Sequence, residues 1–130
     1  MSVEEQVMTP DIVVDSHQFV RVTLHGALNA TDRIEVRKEI AHVCNANSIY
    51  KILVDHRDVV IIAWMLDHYE FGKSFNKAGF FENPRISVII NKQIESSELL
   101  KFSCLVAYNR GTMVETFNTE KEALDALGIN

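Results

Sequence analysis

The spacing of apolar residues along the chain changes several times, and each change predicts an element. In FVRVTLH (19–25), Val20, Val22 and Leu24 alternate with Arg21, Thr23 and His25, the period of two of a strand covered on one face. DIVVD (11–15) precedes it across Ser16, His17 and Gln18, so the two runs read as an antiparallel hairpin. Gly26 is expected to end the second strand. Asn29 or Thr31 can then cap a helix, with Asp32 favoured in its first turn. Ile34, Arg37, Ile40, Ala41 and Cys44 fall at helical spacing, the arginine being the oddity on that face.

KILVD (51–55) is nearly all apolar, as an interior strand requires. A second helix is expected over 61–76, followed by the turn-rich KAGFFENP (77–84). RISVII (85–90) predicts another strand. Ser96 or Ser97 opens a third helix that runs to Asn109 and stops at Gly111. TMVETF (112–117) is the last strand, and Thr119 with Glu122 forms a capping box for a short final helix. Residues 1–10 read as a loose lead-in. The order β-β-α-β-α-β-α-β-α implies a single α/β domain over 1–130, with a mixed, mostly parallel five-stranded sheet and about four helices.

Composition agrees with one globular unit. The 130 residues are 47% hydrophobic and 24% charged, within the ordinary range for a folded domain. The formal net charge of −5, from 13 basic and 18 acidic side chains, offers no basic footprint for nucleic acid. No apolar run reaches the ~18 residues of a membrane span, and MSVEEQVM is no signal peptide. A cytoplasmic protein with two buried free thiols, Cys44 and Cys104, is the expectation.

The segments KILVDHRDV (51–59), LDHYEFGKSF (66–75), RISVII (85–90) and VETFNTEKEALDALG (114–128), in that order and spacing, resemble the SpoIIAA-like group, the fold shared with STAS domains. The resemblance covers nearly the whole chain. It implies a regulatory or binding module rather than an enzyme. Anti-sigma-factor antagonists of this kind carry a phosphorylatable Ser or Thr after the central strand. Here the stretch reads Asp55-His56-Arg57-Asp58-Val59-Val60, with no hydroxyl. The switch is therefore not carried over. A divergent subgroup without it has been likened to CRAL-TRIO lipid-binding domains, a likeness of fold only.

Two places could carry function. The first is the charged stretch Asp55–Asp58, expected at a strand-to-helix turn with His25, Asn29, Asn91 and Lys92 nearby. It would form a polar pocket rim of His25, Asp55, Arg57 and Asp58, able to hold an anion or support a small enzyme. The plainer alternative is that Asp55 or Asp58 caps the next helix while Arg57 pairs with a carboxylate. A zinc site from His56, Asp58 and His68 matches no known spacing. Neither a metal nor any other cofactor is expected.

The second place is the second helix. Ile62, Met65, Leu66 and Tyr69 form the expected core stripe. Ile61, Trp64, Phe71 and Phe75 form another apolar face, with His68 among them and Phe80 and Phe81 just beyond. That arc is wider than a single stripe needs. It could be core, a homodimer interface or a pocket for a small apolar ligand. The leading expectation is a non-enzymatic module that binds a protein partner or a small apolar ligand there, with a homodimer expected.

Overall fold

The computed structural model describes residues 10–129; apart from Pro10, the lead-in lies outside the described residues. The elements are β1 (Asp11–Asp15), β2 (Phe19–Asn29), α1 (Ala30–Asn47), β3 (Lys51–Ile62), α2 (Met65–Lys73), a short 3-10 turn (Phe75–Lys77), β4 (Arg85–Ile89), α3 (Ser97–Asn109), β5 (Met113–Phe117) and α4 (Glu120–Ala126). The strands form one sheet in the order β1-β2-β3-β4-β5. β1 pairs antiparallel with β2, and every other neighbour is parallel. Ser16 and His17 both take positive φ, which matches the tight hairpin turn to the sheet's twist.

Local chemistry sets several boundaries. Asn29 accepts from the Asp32 backbone N–H at 2.8 Å, and Asp32 accepts from the Asn29 N–H at 3.0 Å. That reciprocal box starts α1. At its other end Ser48 turns left-handed. Gly111, at φ +99, lets the chain leave α3. Thr119 accepts from the Glu122 N–H to start α4.

Four sequence expectations are corrected. β2 passes through Gly26, at φ +90, and ends only at Asn29. β3 does not stop at Asp55 but continues to Ile62, so Asp55–Asp58 lie inside a strand and α2 begins at Met65. The run Val59, Val60, Ile61, Ile62 is wholly β-branched, which favours a strand over a helix. The core stripe expected on the second helix is reversed as well. Ile62, Met65 and Leu66 are exposed, while His68 and Gly72 are buried. On α1, similarly, Ile34 is exposed and Arg33 takes the inward place.

A bulge explains the long strand. Thr23 pairs with Asp55 and His25 with Asp58, so Leu24 alone faces both His56 and Arg57. The extra residue reverses the in–out parity of β3. Ile52 and Val54 point to one core before it, and Val59 and Ile61 point to the same core after it.

A sheet in chain order with crossovers of one hand places α1, α2 and α3 on one face. The three are not seated alike. α1 seats on β2 and α3 on β5, while α2 packs chiefly on α3 and more lightly on α1. α4 covers the opposite face, where Phe19, Leu53, Ile89, Ala123 and Leu127 form a second core.

Gly72 permits the close approach of α2 to α3, because a Cβ there would meet the Ser103 carbonyl oxygen and lie 2.9 Å from Val106 Cβ. Gly72→Ala should therefore lower stability by about 1–2 kcal/mol, overpacking against a fixed backbone exceeding the ~1 kcal/mol of helix propensity gained. Chemical denaturation measures this; an unchanged or higher midpoint contradicts the packing.

Candidate functional site

Lifting α2 off the sheet leaves space beneath it. A cavity of about 80 Å³ lies between the sheet and the helices, several times the ~10–15 Å³ that one water needs. Its floor includes Ile52, Val54, Ile86 and Val88, its sides come from α1 and α3, and Phe71, Phe75 and Phe80 cover it. The cover is a stack of rings. Phe71 meets Phe75 edge-on at 6.3 Å, and Phe75 lies parallel to Phe80 at 6.0 Å.

Two arginines of α1 stand in this apolar wall. Arg33 and Arg37 are only 4% and 6% exposed, and their guanidinium carbons sit 3.9 and 4.5 Å from the Phe71 ring centre. Arg33 Nη1 donates to His68 Nδ1 at 3.2 Å, and its Nη2 donates to Ser103 Oγ at 3.4 Å. Arg37 Nη1 donates to the Phe71 carbonyl at 2.9 Å, and its Nη2 donates to Ser74 Oγ at 3.2 Å. Arg37 Nε has no partner. Among the described residues neither arginine forms a salt bridge, and no Asp or Glu lines the cavity.

No side chain of the lining supplies a countercharge, and Asp67, whose carboxylate acts on Arg33 from further off, forms no ion pair with it. Burial pushes the Cys104 thiol up to about 12, so it stays protonated. Burial also lowers Arg33, to about 10, with the Arg37 charge adding to the effect and Cys104 and Asp67 opposing it; it remains a cation at pH 7. Two like charges four apart on a helix repel. Each also carries a desolvation cost of several kcal/mol. A desolvated cation–π contact offsets about 2 kcal/mol, and the neutral acceptors do not cancel the charge. The pair is electrostatically incomplete.

His56 and His68 share this neighbourhood. The bulge directs His56 to the cavity side, where its Nδ1 has no partner. His68 is fully buried; because its Nδ1 accepts from Arg33, its proton belongs on Nε2, which is unpartnered. Burial, then the Arg33 charge, lowers His56 to about 3 and His68 to about 4.

The remaining sequence candidates lie elsewhere. Arg57 donates to Asp55 three times, from its side chain at 3.0 and 2.7 Å and from its backbone N–H at 2.9 Å, and also approaches Glu120. Burial pushes the Asp55 carboxyl up, but the Arg57 hydrogen bonds outweigh it and hold it below the ordinary value. Arg57, Asp58, Asn91 and Lys92 edge an open groove that His25 and Asn29 do not line. Neither Asp55 nor Asp58 caps α2; Asp67 does so by accepting from the Trp64 N–H at 3.0 Å. Trp64 and Phe81 are 83% and 81% exposed and stand outside the cavity, whereas Phe71, Phe75 and Phe80 face it.

Arg33, Ser103 and Cys104 were not among the sequence candidates. The available signal was two arginines four apart, with no acid three or four places from either. Among the described residues no group of three or more His, Cys, Asp or Glu side chains converges to hold a metal ion, and no helix is long and apolar enough to cross a membrane.

A five-stranded mixed sheet with three crossover helices on one face and a final helix on the other defines an α/β module of SpoIIAA-like fold. No family model matches the chain, and no curated protein matches it by sequence. Solved structures do match. An uncharacterised protein of the DUF3478 family with a SpoIIAA-like fold, from Shewanella loihica PV-4, superposes with a TM-score of 0.56 at 18% identity, covering 98% of each chain. An anti-sigma factor antagonist from Mycobacterium paratuberculosis gives 0.62 at 12% identity, covering 98% of this chain and 99% of that one. The anti-sigma factor antagonist SpoIIAA in its unphosphorylated form gives 0.54 at 12%, over 92% and 98%. At these identities the likeness is one of fold.

The two neutral histidines impose a pH dependence. As pH falls, the unfolded chain protonates its histidines near 6.5, before the folded chain does so at about 4 and 3. Stability is therefore full above pH 6.5 and declines below it, by up to about 1.4 kcal/mol per pH unit for each ring. Denaturation curves of wild type and His68→Asn between pH 7.5 and 4.5 check this; equal slopes refute the assignment.

Proposed function

We propose that the protein is a non-enzymatic binding module that holds a small apolar ligand in the cavity under Phe71, Phe75 and Phe80. The cavity itself carries this reading, since a close-packed core seldom keeps apolar space of this size. The ring cover belongs to α2 and the segment behind it, which rest on other helices rather than on the sheet. Such a cover can move without dismantling a strand. The rival reading, a small enzyme at Asp55–Asp58, is disfavoured because Asp55 and Arg57 neutralise one another at an open groove. Two of the structural neighbours are named as anti-sigma factor antagonists, a regulatory role compatible with binding rather than catalysis.

Native mass spectrometry and solvent extraction of the purified protein should recover an apolar molecule in about one-to-one ratio. Phe75→Trp, which fills the space, should lower its occupancy. Protein free of any such molecule, and indifferent to added apolar probes, would remove the proposal.

A second reading has its own observation. Val60, Ile62, Trp64, Met65 and Leu66 are exposed apolar side chains close together in the chain, a composition suited to a protein partner or a second copy. If they pair two copies, Trp64→Ala should turn a dimer into a monomer in analytical ultracentrifugation. A wild-type monomer at all concentrations discards self-association.

A further inference from the structure

The cavity lining is mostly apolar, and Arg33 and Arg37 are its two charged members. We propose that Arg33 and Arg37 seat the carboxylate of an apolar-tailed acid whose chain lies under Phe71, Phe75 and Phe80. This rests on the cavity reading above and names the chemical class of its occupant.

Three observations lead to it. Arg33 and Arg37 are more than nine-tenths buried and face the cavity without any carboxylate partner. Each guanidinium carries five N–H donors, and hydrogen bonds within the protein engage two nitrogens of each. Arg37 Nε–H is left without an acceptor, and His56 Nδ1 on the same lining is also unpartnered. The neutral histidines and the protonated Cys104 cannot balance two cations, and Asp67, which acts on Arg33 from a distance, pairs with neither. An anion from outside can.

The head group follows from the donors. Arg33 closes the first turn of α1 and Arg37 lies one turn further on; the terminal residues Asn29, Ala30 and Thr31 do not line the cavity, so no free backbone N–H groups there assist the arginines. A planar carboxylate matches the fork of a guanidinium with two oxygens. A head group richer in oxygen would leave acceptors against Val36, Ile40 and Leu100, which supply no donors. The tail meets Ile52, Ile86 and Val88, whose side chains suit methylene groups.

Calorimetry on protein freed of bound molecules, with butanoate, butan-1-ol and inorganic phosphate, tests the idea, four-carbon probes being matched to a space of about 80 Å³. Butanoate should bind about tenfold to a hundredfold more tightly than butan-1-ol, the contribution of charged hydrogen bonds in a dry site. Phosphate alone should bind far more weakly. In Arg33→Gln/Arg37→Gln the advantage of butanoate should vanish while butan-1-ol still binds. If that protein does not fold, Arg37→Lys, which keeps the charge and loses the fork, should weaken butanoate and leave butan-1-ol unchanged. Equal affinity for butanoate and butan-1-ol in the wild type overturns the carboxylate assignment but leaves the cavity reading standing. Phosphate binding as tight as butanoate overturns it in favour of a free anion. Binding of neither butanoate nor butan-1-ol removes the cavity reading, and this inference with it.

Discussion

Three crossover helices share one face of the sheet, and only two of them seat chiefly on its strands. That arrangement governs the rest of the molecule. α1 and α3 take the strands, and α2 is left to ride on its neighbours, drawn against α3 at Gly72. An element in that position cannot press its side chains into the pleats of the sheet. It contributes a ring cover instead, and space remains below it. The same displacement explains why Met65 and Leu66 face outward: a helix on an outer layer buries only the stripe that meets the helices beneath.

The bulge in β3 is the second device, and it separates two kinds of chemistry on one strand. By reversing parity it keeps Val59 and Ile61 in the core with Ile52 and Val54. Between them it sends His56 to the cavity side while Asp55 and Arg57 bind each other. Arg57 and Arg21 both reach Glu120, at 3.9 and 3.0 Å, which ties this polar face of the sheet to α4. The charged stretch Asp55–Asp58 is therefore mostly structural, and its one cavity-facing member is the uncharged ring of His56.

Much of the architecture was legible because it rests on local rules. Alternation in 19–25, the apolar runs of β3 and β4, the Asn29 and Thr119 caps and Gly111 each follow from short-range sterics or hydrogen bonding. The order of elements then fixed the sheet class and its likeness to SpoIIAA. The errors arose where local signals are degenerate. Val59–Ile62 runs straight into Ala63, Trp64, Met65 and Leu66, so an unbroken apolar stretch hid both the end of the strand and the start of the helix. The direction in which α2 faces could not be read, because it depends on a helix–helix packing that involves residues 30 positions away. Arg37 was visible as an oddity, but its meaning required Arg33, Phe71 and the lack of a nearby carboxylate to be seen together.

The arginine pair links the cover to the cavity. Arg37 donates to the Phe71 carbonyl and to Ser74 Oγ, at the end of α2, and both guanidinium groups lie on the Phe71 ring. The cations therefore hold α2 over the space they help to line. Replacing a buried charge with an apolar side chain of similar volume is often neutral or stabilising, so fold stability alone gives little reason for two cations here. Their position supplies a different one. An anion bound at the free Nε–H would change the charge balance of the very group that anchors Phe71. Occupancy of the cavity and the seating of α2 are thereby parts of one equilibrium.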